Sequence, residues 1–208
     1  MKKIGIVDFG FNNFHSIFAA VKYLKFNVII IKDSKNVKEC DSIILPGVGT
    51  YANAMNFLKK KKLDISLKEF AITGKPILGI CLGMQLLFEK SEEFGVTKGL
   101  GILQGEIKSL KKKFTTEQLP NIGWYILKKN NVNKKHKLFN VSKIDYVYFV
   151  HSFFAVPREK NIITSNIKIN NKFICASVQK NNIFATQFHP EKSGRNGLQI
   201  LNAFCKIN

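Results

Sequence analysis

The sequence predicts an α/β fold: a mostly parallel central sheet flanked by helices, with a smaller β-rich addition. Three observations carry this. Short apolar runs alternate with stretches of helical spacing over residues 3–93, as in parallel strands covered on both faces. Two of the runs end sharply at glycine-bearing turns, "LPGVG" and "GICLG". After Gly95 the pattern changes to short, hairpin-like apolar segments.

Taken in order, "KIGIVDF" (3–9) reads as a buried first strand. "NNFHSIFAAVKYL" places Phe14, Ile17, Phe18, Val21 and Leu24 at helical spacing. "NVIII" (27–31) and "DSIILPG" (41–47) are the next strands, the second stopped by Pro46 and Gly47. "YANAMNFLKKKK" (51–62) reads as one helix whose lysines suit its C-terminal turn. "KPILGI" (75–80) is a fourth strand, and "LGMQLLFEKSEE" (82–93) its following helix. Downstream, "GLGILQGEIKSL", "YVYFVHSFFAV", "FICASVQ" and "NIFATQF" look β-rich, the last two joined by a turn at "QKNNI" (179–183). "SGRNGLQILNAFCKI" closes the chain as a helix. Residues 111–119 and 128–143 read as polar, Lys-rich, mobile loops. No repeat or linker-like boundary interrupts the pattern, so residues 1–208 read as a single domain.

A chain of 208 residues, 45% of them hydrophobic, can build a substantial core. The apolar run near the start, "IGIV", is too short for a signal peptide, and no stretch reaches the length of a membrane span. The expected location is the cytoplasm. Cys40, Cys81, Cys175 and Cys205 form no CxxC pair, which leaves zinc-cluster and thioredoxin readings without support. The formal charge of +19 admits a nucleic-acid or membrane partner. The lysine runs at 59–62, 111–113 and 134–135 lack interleaved aromatics and any RNA-binding signature, so a solvated surface is the preferred reading.

The chemistry-bearing residues gather in three motifs. In "GICLGMQ", Cys81 lies between Gly79 and Gly83 where a strand turns sharply into a helix, the G-x-C-x-G counterpart of a nucleophile elbow. Alone, Cys81 has a competing reading as a small core residue. In "FHPEK", Pro190 breaks a strand just after His189, and Glu191 is positioned to accept from the second ring nitrogen, as nucleophile–base–orienter logic requires. "LPGVG" ends another strand and offers free backbone N–H groups. No GK[ST] follows, which excludes a P-loop.

"PGVG", "GICLGMQ" and "FHPEKS", in this order, resemble the class I (triad) glutamine amidotransferases, whose fold is flavodoxin-like. "NIGW" (121–124) and "YFVHS" (148–152) are most similar to the glutaminase subunits that serve histidine biosynthesis. The resemblance implies that Cys81 attacks the carboxamide of glutamine, that His189 exchanges protons with the thiol and the leaving ammonia, and that Glu191 orients His189. It implies an oxyanion hole from the N–H of Leu82 and that of Val48 or Gly49. It assigns Gly47, Gln85, Glu93, Ser152 and Phe153 to the glutamine pocket. It implies no cofactor and no metal.

Free ammonia becomes ammonium in bulk water, and the chain is consumed by the glutaminase fold. The implied partner is therefore a (β/α)₈-barrel cyclase, forming a heterodimer, that uses the ammonia to make imidazole glycerol phosphate and an aminoimidazole carboxamide ribotide. Asn13, Trp124, Tyr148 and Lys192 match positions expected at that interface, with core packing the competing reading for Trp124. No nucleic acid and no membrane is implied. Three motifs depart from the family: "DFGFNN" has Asn12 in place of a glycine, "PNIGWY" has Asn121 and Tyr125 in place of His and Asn, and "HSFF" replaces His-Ser-Tyr. These keep open a second reading, a paralogous subunit supplying ammonia to a cyclase-like partner that modifies a surface-polysaccharide sugar. A third reading, a non-catalytic or nucleic-acid-binding protein on this fold, is opposed by the presence of Cys81, His189 and Glu191 together.

Overall fold

The computed structural model describes residues 2–10, 14–114, 119–130, 138 and 146–207. Along the chain, β1 (Lys3–Val7), α1 (Phe14–Tyr23), β2 (Asn27–Ile31), α2 (Ser34–Lys38), β3 (Ser42–Leu45), α3 (Tyr51–Lys60), α4 (Leu63–Ile72), β4 (Ile77–Ile80) and α5 (Leu82–Leu86) form the first half. There follow β5 (Lys90–Ser91), β6 (Thr97–Lys98), β7 (Gly105–Ser109), α6 (Leu110–Lys113), β8 (Asn121–Ile126), β9 (Lys128–Lys129), β10 (Tyr146–His151) and β11 (Phe153–Pro157). The chain ends with β12 (Ile163–Ile169), β13 (Lys172–Lys180), β14 (Ile183–Thr186) and α7 (Gly194–Cys205).

Eight strands make the main sheet in the order β2-β1-β3-β4-β14-β13-β12-β9. The first five are mutually parallel and the last three antiparallel. Successive side chains of a strand face opposite ways, so each apolar run feeds two cores. Ile43, Leu45 and Ile77 face one side, packed with residues of α3 and α4. Ile4, Ile6, Ile44, Leu78 and Ile80 face the other, with residues of α1 and α7. A four-stranded sheet, β11-β7-β5-β6, and the two-stranded β10-β8 complete the β-rich addition.

The topology fixes the site. β3, β4 and β14 lie side by side and parallel, so their C-terminal ends share one edge. β3 runs into Pro46–Gly49, β4 into Cys81, and β14 through Gln187 and Phe188 to His189.

Several elements differ from the sequence reading. The helix expected over 51–62 breaks at Lys62, which adopts φ 54° in the left-handed region, and α4 follows it. No glycine or proline announces that break. The helix expected over 82–93 ends at Leu86. The N–H groups of Leu87 and Phe88 bond the carbonyls of Met84 and Gln85, tightening the last turn, and Glu89 N–H then bonds Gly105 O. Residues 146–156 do not fold on themselves as a hairpin. β10 pairs with β8, and β11 with β7. The hairpin at 179–183 is present, with Lys180 opposite Ile183. Of the two expected Lys-rich loops, residues 111–113 belong to α6 and 128–129 pair with Asn166 and Ser165 of β12. Residues 115–118, 131–137 and 139–143 lie outside the described residues, and so does the mobility expected of them. Among the described residues no helix is long and apolar enough to cross a membrane.

Candidate active site

Cys81 occupies the single residue between β4 and α5, at φ 53° and ψ −108°. A side chain is rarely held there, and such strain persists only where the surroundings impose it. Here they do. Cys81 N–H donates to Thr186 O at 2.7 Å, tying the turn to β14. Gly83 lets α5 rest directly on the end of β3, because a Cβ there would overlap the Leu45 carbonyl oxygen. Gly47 serves the same close approach from the other side: a Cβ would lie 2.6 Å from Leu82 Cβ.

His189 and Glu191 have fully buried side chains, and His189 Nδ1 lies 2.8 Å from Glu191 Oε1. That contact fixes the ring with Nδ1–H donating to the carboxylate and Nε2 toward the thiol. Burial opposes the charged imidazolium. The Cys81 sulfur and the Glu191 carboxylate outweigh it and push the His189 pKa up to about 10. The Cys81 thiol can donate to Val150 O, 3.8 Å away, and Gln187 Nε2 donates to its sulfur at 3.6 Å. The other three cysteines are buried, and burial pushes each thiol up to about 12. They are poor nucleophiles by comparison.

A cavity of 260 Å³ opens onto Cys81 and His189. Val48, Gly49 and Leu82 line it beside the thiol, and Gln85, Glu93, Ser152 and Phe153 line the remainder. Gly47 is not among the lining residues, since it packs behind the turn against Leu82 and Gly83. Gly49 has φ +104°, a conformation that favours glycine. Glu93 accepts the N–H of Tyr51 at 2.5 Å, at the start of α3. Burial raises its pKa, and the Tyr51 hydrogen bond opposes that rise. Gln85 turns its Nε2 inward, to Phe153 O and Gln187 Oε1, both at 3.1 Å.

Four residues at the site carried no individual assignment: Pro120, Val150 and His151, which also line the cavity, and Gln187, which bonds the thiol. Gln187 carried a signal, a polar residue inside the apolar run "ATQF" that is fully buried. His151 donates from Nδ1 to Phe153 O at 2.8 Å and accepts Asn121 Nδ2 on Nε2 at 3.1 Å. Tyr125 OH in turn donates to Asn121 Oδ1. The two residues that depart from the family motif thus form one hydrogen-bonded unit that holds His151 neutral. Burial lowers the His151 pKa to about 4; the Phe153 bond opposes this and the charge on His189 adds to it.

Of the expected interface residues, Trp124 is half exposed, which overturns core packing as its role. It lies directly opposite Tyr148, with ring centroids 5.7 Å apart. Lys192 is exposed on the turn after the His189–Glu191 pair. Asn13 lies outside the described residues. Among the described residues no group of three or more His, Cys, Asp or Glu side chains is placed to hold a metal.

The model of the class-I glutamine amidotransferases matches residues 5–207. The chain belongs to this family. Among its relatives, the imidazole glycerol phosphate synthase subunit HisH of Prochlorococcus marinus subsp. pastoris is 42% identical over 99% of this chain and 98% of its own. The HisH subunit of Bacillus cereus is 43% identical, over 97% and 93%. The PurLQS structure from Thermotoga maritima superposes with a TM-score of 0.75 at 19% identity, covering 98% of this chain and 97% of that one. A crystal structure of a glutamine amidotransferase gives 0.70 at 14%, covering 96% and 98%. At such identities these two show the shared amidotransferase fold.

Proposed function

We propose that this chain is the glutaminase subunit of an imidazole glycerol phosphate synthase, acting as one unit over its whole length in the cytoplasm. The observation that carries the chemistry is the strained Cys81 turn facing a buried His189–Glu191 pair across a cavity of amino-acid size. The Cys81 thiolate attacks the carboxamide carbon of glutamine. The oxyanion that forms is met by the N–H of Leu82 and an N–H of the Val48–Gly49 turn, where fixed donors contribute several kcal/mol. The His189 imidazolium gives its Nε2 proton to the departing ammonia, leaving a thioester on Cys81. His189, now neutral, takes a proton from water, which attacks the thioester and releases glutamate and the thiolate. Glu191 holds the ring throughout. Gln85, Glu93, Ser152 and Phe153 bind glutamine, with the Glu93 carboxylate suited to its ammonium.

The partner is a (β/α)₈ cyclase in a heterodimer, to which the ammonia passes. The outward face of β8 and β10 supports a docking surface beside the cavity. It pairs Ile122 with Val150, Trp124 with Tyr148 and Ile126 with Tyr146. Ile122, Trp124, Ile126 and Tyr146 are each at least 50% exposed. Such an apolar face marks an interaction site. His189 N–H bonds Tyr148 O at 3.0 Å, so this face and the proton-transfer residue share a strand contact. Full-length relatives named for the histidine-pathway synthase favour this reading over the surface-polysaccharide one. The test is glutamate release by the chain alone, with a histidine-pathway cyclase, and with a polysaccharide-pathway partner. Activation by the last alone would refute the pathway.

A further inference from the structure

The inside of the thiol's environment is polar in an ordered way. Gln187 is fully buried, and its backbone N–H bonds Ala176 O at 2.8 Å, so the residue is held between β14 and β13. The direction of its carboxamide follows from a fixed starting point. Phe153 O is a main-chain carbonyl and can only accept. It therefore orients the Gln85 Nε2 group, 3.1 Å away, as donor. The same Gln85 nitrogen faces Gln187 at 3.1 Å, which requires the Gln187 oxygen there. The Gln187 nitrogen is left facing Cys81 Sγ at 3.6 Å. A flipped Gln187 would set two NH₂ groups against each other.

Resting on the glutaminase reading, we propose that Gln187 is a further catalytic residue whose Nε2–H donates to the Cys81 sulfur and stabilises it as a thiolate, with Gln85 as the positioning residue that aims this donor. A donor N–H bonds a charged acceptor about twice as strongly as a neutral one, so the contact favours thiolate over thiol. The thiolate occurs twice in the cycle, as the attacking group and as the group expelled from the thioester. Stabilising it lowers its reactivity as the attacking group only partly, with a Brønsted slope of about 0.4–0.5, and makes it a better group to expel from the thioester. Gln85 thereby acts on the sulfur through Gln187 as well as lining the cavity.

The test is the pH dependence of iodoacetamide alkylation of Cys81 in the full-length chain, read by peptide mapping. The three buried cysteines, with thiols near 12, stay silent below pH 10. Gln187→Met keeps the length and removes the donor. Its alkylation midpoint should rise by about one pH unit. With a cyclase bound, its kcat should fall about tenfold while KM stays within twofold. Gln187→Glu, which turns a carboxylate toward the sulfur, should raise the midpoint further. Gln85→Met should raise it less, in the same direction. An unchanged midpoint in folded Gln187→Met overturns the proposal, as does a change in KM alone. Where Gln187→Met fails to fold, an unchanged midpoint in Gln85→Met overturns it equally. Alkylation needs no glutamine, so a shifted midpoint in a chain that hydrolyses none with any cyclase would uphold the contact and refute the glutaminase reading.

Discussion

Replacing Gly83 with alanine probes what holds the nucleophile in place. A Cβ at Gly83 would overlap the carbonyl oxygen of Leu45 and would lie 2.7 Å from the Leu45 carbonyl carbon and 2.9 Å from Pro46 O. All three atoms are backbone, so no rotamer change relieves the contact. Two effects favour alanine: helix propensity, about 1 kcal/mol, and burial of a methyl group, about 0.8 kcal/mol. Against them, α5 has to retreat from β3 by about an ångström. Overpacking against movable side chains costs about 1–3 kcal/mol, and a paired strand yields less than a side chain does. The upper end of that range applies, leaving a net loss of about 1–2 kcal/mol. The urea midpoint should fall by roughly 0.5–1 M. The larger effect is on activity. Cys81 and Leu82 move with α5 relative to the Val48–Gly49 turn, and a displacement of about 1 Å can cost roughly 100-fold in rate. Gly74→Ala is the control. Gly74 has φ +80°, a Cβ there would meet nothing within 4 Å, and the residue lies at the opposite edge of the sheet. It should lose about 1 kcal/mol to backbone strain and keep full glutaminase activity. Wild-type stability and activity in Gly83→Ala would refute the packing argument.

Cys81→Ala should abolish glutamate release while leaving folding and cyclase binding intact, and a glutamine-like electrophile should label Cys81 and spare Cys40, Cys175 and Cys205 on mass mapping. His151, with its pKa pulled from 6.5 to about 4, stays neutral in the folded chain while the unfolded chain takes up a proton below pH 6.5. Stability should therefore fall as the pH drops from 6.5 towards 4, by at most about 3 kcal/mol from this group; denaturation midpoints of His151→Asn should show a flatter acid limb. Trp124→Ala should weaken cyclase binding at least about tenfold in calorimetric titration with the melting temperature nearly unchanged, if the half-exposed ring anchors the proposed docking face as aromatic hot spots do. Gly49→Val places a β-branched residue at φ +104° and should leave glutamine affinity near normal while cutting cyclase-stimulated glutamate release about tenfold, roughly 1.4 kcal/mol of barrier.

Local events were legible in the residue pattern alone. Apolar runs of four or five residues marked β1, β3 and β4 because a strand buried on both faces needs no polar alternation. Glycines around Cys81 and the His-Pro-Glu run marked the two ends of the chemistry because sharp turns and strand breaks demand those residue types. What it could not decide is which strands lie together. β14 follows β4 by more than a hundred residues, yet pairs beside it in parallel, and only that pairing brings His189 to Cys81. The helix after Cys81 stopped at Leu86 because Glu89 found a partner in Gly105, a long-range bond that outweighs local propensity. Gln187 and His151 are ordinary polar residues in apolar segments until Cys81, Gln85, Asn121 and Phe153 surround them. A side chain's hydrogen-bonding role is set by the atoms it faces after folding, and those come from distant parts of the chain.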